Sequence, residues 1–537
     1  MAMMTRPQVT ELESGAKYWE HDFDTFSLKC YVPANTLEGQ TCNYGFRASL
    51  LTVLEEKKMT REEAVRYAES TGLSRAAAEN DGSVLFVYPT CEGGWKNAGA
   101  GLYADLIREV RIDPVYRDGM TEVTDFFTRT FKGWFIRGAK FRADLYAKGE
   151  AADYAAKHLL RTLQGEYLWG PGEITPAAVC LEGLSVMPEV ERTDIAVVSI
   201  GNSVEINRAF EKCEELLVTE DRDLYRSWST FVKRFKMWCG KRQEEPDFEK
   251  LGMTEDVGAV TVHTSPDNRG AFRGTKTHRA GYFAYYNNGL PEKGNVPLML
   301  GLHGGGDSSM YLTYVAEWWE LAHKYGFLFV SVENHQNLTA TELIELLEHL
   351  KKRYPVDRTR VYATGFSMGS GKTWDLYQEY PQYFAGMCPA SALFPVYHNP
   401  FGADLGDRLN RTVPVPLFYS GGEQSHLPEL PYQAESALER AAYAAEVQGL
   451  SKRFDLDFSA RGTWEDPFWG EKADRTEVLH DESRGSDLTV RYYLSRDGVC
   501  RTAFASVSGQ IHECRRHTCE AAWNFLSGFT RPDAPDA

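Results

Sequence analysis

No stretch of the 537-residue sequence reaches the ~18 consecutive apolar residues of a membrane-crossing helix, and the first ten residues carry no apolar run behind Arg6. The expectation is a cytoplasmic protein with no membrane partner. Long basic blocks are also missing, and 59 Lys and Arg stand against 76 Asp and Glu, a formal charge of −17. Affinity for a phosphate backbone comes from counterion release by clustered cations, so nucleic acid is excluded as an expected partner. Cysteine is sparse. Ten cysteines scattered from Cys30 to Cys519 form no CxxC pair, which argues against a disulfide framework. His512, Cys514, His517 and Cys519 lie close in sequence, but separations of five residues put the members of each like pair on different faces of a helix, so no metal site is expected. A nucleotide loop is missing too. Ser370-Gly371-Lys372-Thr373 ends like a phosphate-binding loop, yet the spacing demands glycine at 366, where Phe366 stands. Lys372 is therefore expected on an exposed helix face, and no cofactor is implied.

What is present is a large apolar inventory, 43% hydrophobic and 13% aromatic, enough for two well-buried cores. In the second half short β-rich runs, Val296–Leu302, Phe327–Val332, Arg360–Thr364 and Val415–Ser420, alternate with long amphipathic stretches such as Thr341–Lys352. That alternation predicts a mostly parallel sheet with helices on both faces. Strands are also expected at Gly258–Val262 and Gly281–Tyr286. The first half repeats the texture: a helix over Thr60–Ala78, strands at Val84–Tyr88, Arg142–Ala147 and Asp194–Ile200, and a helix through Ala151–Leu163. The polar segment Lys241–Asp256 separates them, giving α/β domains over 1–245 and 246–537. The halves also align as distant repeats, with Gly149, Ala151 and Asp153 opposite Gly365, Ser367 and Gly369.

Three segments carry chemistry. Gly365-Phe366-Ser367-Met368-Gly369 follows a strand and opens a helix, the context in which flanking glycines allow a sharp turn that lifts a serine hydroxyl above the sheet edge. Strand LMLGL runs into His303-Gly304-Gly305-Gly306-Asp307, where the backbone N–H groups of Gly304 and Gly305, with that of Met368, can face a developing oxyanion. A serine needs a base to take its proton. Of His398, His426, His480, His512 and His517, only His512 stands at the mouth of the loop after the last predicted strand, Thr502–Val507, just past the turn Ser508-Gly509 and ahead of a helix over Ala521–Phe529. The orienting acid is expected after strand Val415–Ser420, where Glu423 lies nearest; Glu429, Asp404 and Asp407 remain open.

Residues 302–308 (LHGGGDS), 365–371 (GFSMGSG) and 508–513 (SGQIHE) resemble the α/β-hydrolase superfamily, in particular its poly(3-hydroxybutyrate) depolymerase and feruloyl or acetylxylan esterase branch. The resemblance covers roughly 258–529. It implies a cofactor-free serine esterase acting on small esters, with Ser367 as nucleophile, His512 as base and an acid from the Glu423 loop. The first domain then reads as a hydrolase-like copy without a nucleophile. A serine peptidase or amidase on the same scaffold, and a silent binding protein, stay open. The segment 450–487, with Trp464, Phe468 and Trp469, exceeds what the sheet needs and is expected as a lid or binding loop.

Overall fold

In a computed structural model the chain divides into two compact units, Met1–Pro246 and Asp247–Ala537. The structure describes residues 8–34, 50–79, 82–109, 143–161, 164–167, 170–173, 175–238, 241–270, 272–305, 309, 311–333, 335–394, 396 and 405–535. Among these no helix is long and apolar enough to cross a membrane. The sequence candidates Asp307, His398 and Asp404 lie outside the described residues.

The first unit holds a nine-stranded sheet. Its strands are β1 (Thr10–Glu11), β2 (Lys17–Asp22), β3 (Phe26–Val32), β4 (Leu50–Leu54), β5 (Ser83–Pro89), β6 (Ala143–Lys148), β7 (Ala178–Glu182), β8 (Ala196–Ile200) and β9 (Glu215–Thr219). They lie in the order β1-β2-β3-β5-β4-β6-β7-β8-β9, antiparallel as far as β5 and parallel from β5 to β9.

The second unit holds ten strands: β10 (Met253–His263), β11 (Thr277–Asn287), β12 (Val296–Leu302), β13 (Leu328–Val332), β14 (Val356–Phe366), β15 (Gly386–Ala390), β16 (Leu417–Gly422), β17 (Arg475–Asp481), β18 (Ser486–Tyr493) and β19 (Thr502–Val507). Their order is β10-β11-β13-β12-β14-β15-β16-β19-β18-β17. The block from β13 to β19 is parallel, and antiparallel pairs close both edges. From the antiparallel pair at the start through the parallel strands, the two sheets share one strand order. Crossovers of this kind need helices on the faces, so the central strands are apolar throughout: β12, β13 and β15 are buried along almost their whole length.

Local departures from the sequence reading have identifiable causes. The helix expected over Thr60–Ala78 splits into Arg61–Ser70 and Leu73–Glu79, because Gly72 takes φ +75° with the Tyr225 Cβ against it. The segment expected to link the domains is shorter than 241–256. Lys241–Glu244 pairs with Phe235–Trp238, and β10 already begins at Met253. Lys372 is not on an exposed face; it is buried in the helix Met368–Glu379, with its ammonium 3.2 Å from the Asp375 carboxylate. The long segment 450–487 is partly core. Trp469 is fully buried, stacks on Phe504 at 4.5 Å and meets Tyr419 edge-on, while β17 extends the sheet. Trp318 and Trp374 are core residues.

Packing is close where the helix Met368–Glu379 leaves β14. A Cβ on Gly369 would sit 1.9 Å from the Leu302 carbonyl oxygen, so glycine is what lets the helix start touch the end of β12. Gly369→Ala is expected to lower unfolding stability by about 1–3 kcal/mol or more, since backbone must move to admit the methyl. The control is Gly462→Ala, where nothing lies within 4 Å, and the check is the denaturant midpoint of each variant. Equal midpoints would contradict this packing.

Candidate active site

Ser367 sits between β14 and its helix with φ 54° and ψ −114°, a left-handed conformation that a non-glycine residue rarely takes. The turn is over-determined. Ser367 N–H donates to the Ala390 carbonyl on β15, Gly371 N–H donates to the Ser367 carbonyl, and a Cβ on Gly365 would lie 2.1 Å from the Gly369 carbonyl oxygen. The serine side chain is thereby held at the carboxyl edge of the parallel strands, where open α/β sheets place their sites.

The loop after β19 brings His512 to this serine, with Nε2 2.8 Å from Ser367 Oγ. The other ring nitrogen, Nδ1, lies 2.5 Å from Glu429 Oε1. A carboxylate can only accept, so Nδ1 carries the proton and Nε2 is left to accept from the serine hydroxyl. Phe366 flanks the imidazole at 4.9 Å between ring centres. The loop is anchored on both sides: Gln424 N–H donates to the Gln510 carbonyl, and the Gln510 and Ser391 side chains both donate to the Glu513 carbonyl.

The carboxylate that meets the His512 ring belongs to Glu429 and not to Glu423, the nearer candidate in sequence. Glu423 N–H donates to the Val507 carbonyl, which pins the residue beside β19, and its carboxylate accepts from Ser506 Oγ at 2.9 Å. Glu429, seven positions past the end of β16, folds back beneath the imidazole and is fully buried. Its carboxylate takes Gly422 N–H on Oε2 and Ser425 Oγ–H on Oε1, each at 2.6 Å, beside the histidine. Gly421 makes the return possible, since a Cβ there would lie 2.7 Å from the Glu429 carbonyl oxygen. Asp407, the other described candidate, lies in a short helical turn, Gly406–Arg408, away from this cluster.

On the other side of Ser367, the loop after β12 is fixed by buried polar contacts. His303 is enclosed, with Nε2 2.6 Å from the Glu333 carbonyl and Nδ1 2.7 Å from the Gly304 carbonyl. Burial pushes its imidazole down to about 4, so it is neutral and donates to only one of these oxygens at a time. His335 Nε2 meets the His303 carbonyl and Gln336 donates to that of Gly304. With these carbonyls engaged, the chain leaving β12 at Leu302 and His303 is held against Gly369 in the first turn of the serine helix, where the Met368 amide has no intrahelical partner. Glu333 completes the frame. Its carboxylate accepts from Ser309 N–H at 3.1 Å, and burial pushes its carboxyl up to about 7.

The first unit has the same turn with a different residue in it. Gly149 follows β6 and precedes helix Glu150–His158 with φ 57° and ψ −128°. The ladders agree: Leu54 pairs with Ala147 as Leu302 pairs with Gly365, and each partner lies two residues before its turn. Gly149, not Ala151, therefore stands at the position of Ser367. Ala151 is buried inside the helix, and Asp153 accepts from Ser185 N–H. Where the second unit has Gly304, the first has Glu56, whose Oε1 would be 2.7 Å from a Cβ on Gly149.

No family model matches the chain. Over 245 residues it is 31% identical to a bifunctional acetylxylan esterase/xylanase of Neocallimastix patriciarum, covering 44% of this chain and 31% of that protein. Over 136 residues it is 25% identical to poly(3-hydroxyalkanoate) depolymerase C of Paucimonas lemoignei, covering 22% of this chain and 32% of that one. The chain thus spans about a third of the length of the curated relatives it matches. Among solved structures, the acetyl xylan esterase from Aspergillus awamori matches at TM-score 0.33 and 14% identity, over 50% of this chain and 99% of that one. The resemblance to α/β-hydrolase esterases carried by the sequence motifs is thus met by curated relatives of that kind.

Two outcomes follow from this geometry. Glu429→Gln should slow fluorophosphonate labelling of Ser367 by about 10²-fold or more, because the imidazole loses the carboxylate that orients it, whereas Glu423→Gln should change the rate less than about threefold. The reverse ranking would return the acid to Glu423. Glu333 gives a pH signature. Its folded value, about 7, lies above the ordinary 4.5, so its contribution to stability is full below 4.5 and is lost as pH rises through 7. Glu333→Gln keeps the acceptor for Ser309 but cannot ionise. Its melting temperature relative to wild type should therefore climb between pH 5 and 8, and parallel curves would contradict the burial of an uncompensated carboxyl.

Proposed function

We propose that the second unit is a serine carboxylic-ester hydrolase that works through an acyl-enzyme. The observation that carries this reading is the unbroken relay of Ser367 Oγ, the His512 ring and the Glu429 carboxylate, at 2.8 and 2.5 Å. As Oγ attacks the ester carbonyl carbon, Nε2 takes its proton and Glu429 stabilises the imidazolium. Charge moves to the carbonyl oxygen, which meets the Met368 amide and the backbone of Gly304 and Gly305. Collapse breaks the bond to the alcohol, whose oxygen receives the proton from Nε2. Water then repeats the sequence with the roles reversed and frees the acid. Every proton and charge in this cycle is handled by residues of the chain.

The substrates in this reading are small esters of hydroxy acids or aromatic acids; the names of the curated relatives support ester hydrolysis in general. The first unit is a non-catalytic hydrolase-like copy. With Gly149 in the turn there is no hydroxyl to activate, and Glu56 sets a carboxylate where an oxyanion would need a donor.

Ser367→Ala should lower kcat on p-nitrophenyl acetate by about 10⁴-fold or more with the unfolding transition retained. Mass spectrometry after fluorophosphonate treatment should find a single adduct, on Ser367, and Gly149→Ser should add no second one. A tenth of wild-type activity in Ser367→Ala would remove the assignment. The substrate is tested by comparing kcat/KM across acetyl, butyryl, feruloyl and 3-hydroxybutyryl esters and a peptide p-nitroanilide; faster cleavage of the anilide than of every ester would replace the esterase reading with a peptidase one.

A further inference from the structure

Two thiols meet beside the loop that carries His512, and the acyl-transfer cycle uses neither. Cys514 stands two residues past His512, and its Sγ lies 3.5 Å from that of Cys519, with both side chains buried. A helix running through both would put them on different faces. The helix Arg516–Leu526 begins only after Arg515, so Cys514 lies in the loop and folds back onto Cys519. Burial, the Cys514 thiol and then Cys388 on β15 push the Cys519 thiol well above its ordinary range. Cys519 therefore keeps its proton and hydrogen-bonds through it to Cys514 Sγ, which leaves Cys514 as the first thiol to react.

The two sides of this contact are not equally fixed. The helix is packed through Trp523, which stacks on Phe327 at 4.0 Å and meets Tyr362 edge-on, and through the fully buried Leu526. The loop is held at the Glu513 carbonyl by the Ser391 and Gln510 side chains, and at His512 by Ser367 and Glu429. A covalent bond needs the two sulfurs at about 2.05 Å. Closing the gap therefore draws Cys514 towards the helix by about 1.5 Å, and the displacement falls on Glu513 and His512.

We infer that Cys514 and Cys519 form an oxidation site for hydrogen peroxide, and that the disulfide made there draws the His512 ring off Ser367. The consequence for Ser367 rests on the esterase reading above. The oxidant has to be small, because only 5% and 3% of the two residues are exposed. Cys514 Sγ, as its thiolate, attacks one oxygen of the peroxide; the S–O bond forms, the O–O bond breaks, and the departing hydroxide takes the thiol proton and leaves as water. Cys519 Sγ then attacks the sulfenic sulfur; the S–S bond forms, the S–O bond breaks, and the hydroxyl leaves as water with the Cys519 proton. The two sulfurs give up two electrons in all, and one peroxide becomes two waters.

The test starts from the full chain reduced with dithiothreitol, freed of the reductant and treated with hydrogen peroxide. Tryptic peptide mass spectrometry should find the Cys514 peptide joined to the Cys519 peptide. The rate of fluorophosphonate labelling at Ser367 should fall about 10- to 100-fold, the cost of moving a catalytic group by about 1 Å, and return with dithiothreitol. Cys514→Ala should keep its own untreated rate in peroxide. Thiols that stay unlinked overturn the inference, as does a link from either one to Cys388. A linked pair with labelling unchanged overturns it too, and so does an equal fall in Cys514→Ala, because the peroxide would then act elsewhere. Reduced wild type that takes no label and hydrolyses no ester would instead remove the esterase reading, and the joined peptides would still decide whether the oxidation site exists.

Discussion

A left-handed serine between two glycines that have no room for a side chain is the constraint on which the second unit depends. Holding a non-glycine residue at φ 54° costs about 1–3 kcal/mol, and the turn persists because its neighbours leave no alternative. On one side the Ser367 amide is tied to β15; on the other the helix starts so close to β12 that Gly369 has no room for a methyl group, and so close to β14 that Gly365 has none. The same two contacts aim the hydroxyl out of the sheet edge and bring the Met368 amide alongside the loop after β12. The first unit makes the complementary point. It keeps the strand order and the turn but puts Gly149 in it, where positive φ carries no steric cost. The turn belongs to the strand-to-helix crossover, and the serine is an addition that only one of the two units carries.

Electrostatics separates two buried glutamates that composition cannot distinguish. Glu429 and Glu333 are both enclosed, but Glu429 is met by three donors, His512, Ser425 and the Gly422 amide, while Glu333 receives the Ser309 amide and desolvation raises its carboxyl to about 7. Three directed hydrogen bonds fix the Glu429 oxygens relative to the imidazole. Glu333 acts through shape, bracing both ends of the loop that holds Gly304 and Gly305 with its carbonyl and its carboxyl group.

The elements that the sequence made legible are those whose signal is local. β12 and β19 fall on the apolar runs Val296–Leu302 and Thr502–Val507, and Ser367 and His512 stand in segments whose residue types announce a turn and a loop. What was hidden depends on three-dimensional return paths. Glu423 was the nearest acid in sequence, yet the strand-like extension of Gly422 carries it past the imidazole towards Ser506, and Glu429 reaches His512 only because Gly421 lets the chain double back. Lys372 looked like a surface residue until Asp375, three positions on, supplied a buried counter-ion. The first unit's turn was displaced by two residues because Ala151 and Asp153 imitate the spacing of the motif, while the equivalence that matters is set by strand register at Ala147 and by backbone conformation at Gly149.

The esterase reading stands on an acyl group passing through Ser367. Acid quenching of p-nitrophenyl butyrate turnover within the first catalytic cycles, followed by peptide mass spectrometry, tests it directly. An acyl-enzyme at Ser367 gives a burst of p-nitrophenol matched by a butyryl group on the peptide that contains Ser367. Product formed at the full rate with no acyl group on that peptide, or with the acyl group on another residue, would contradict it.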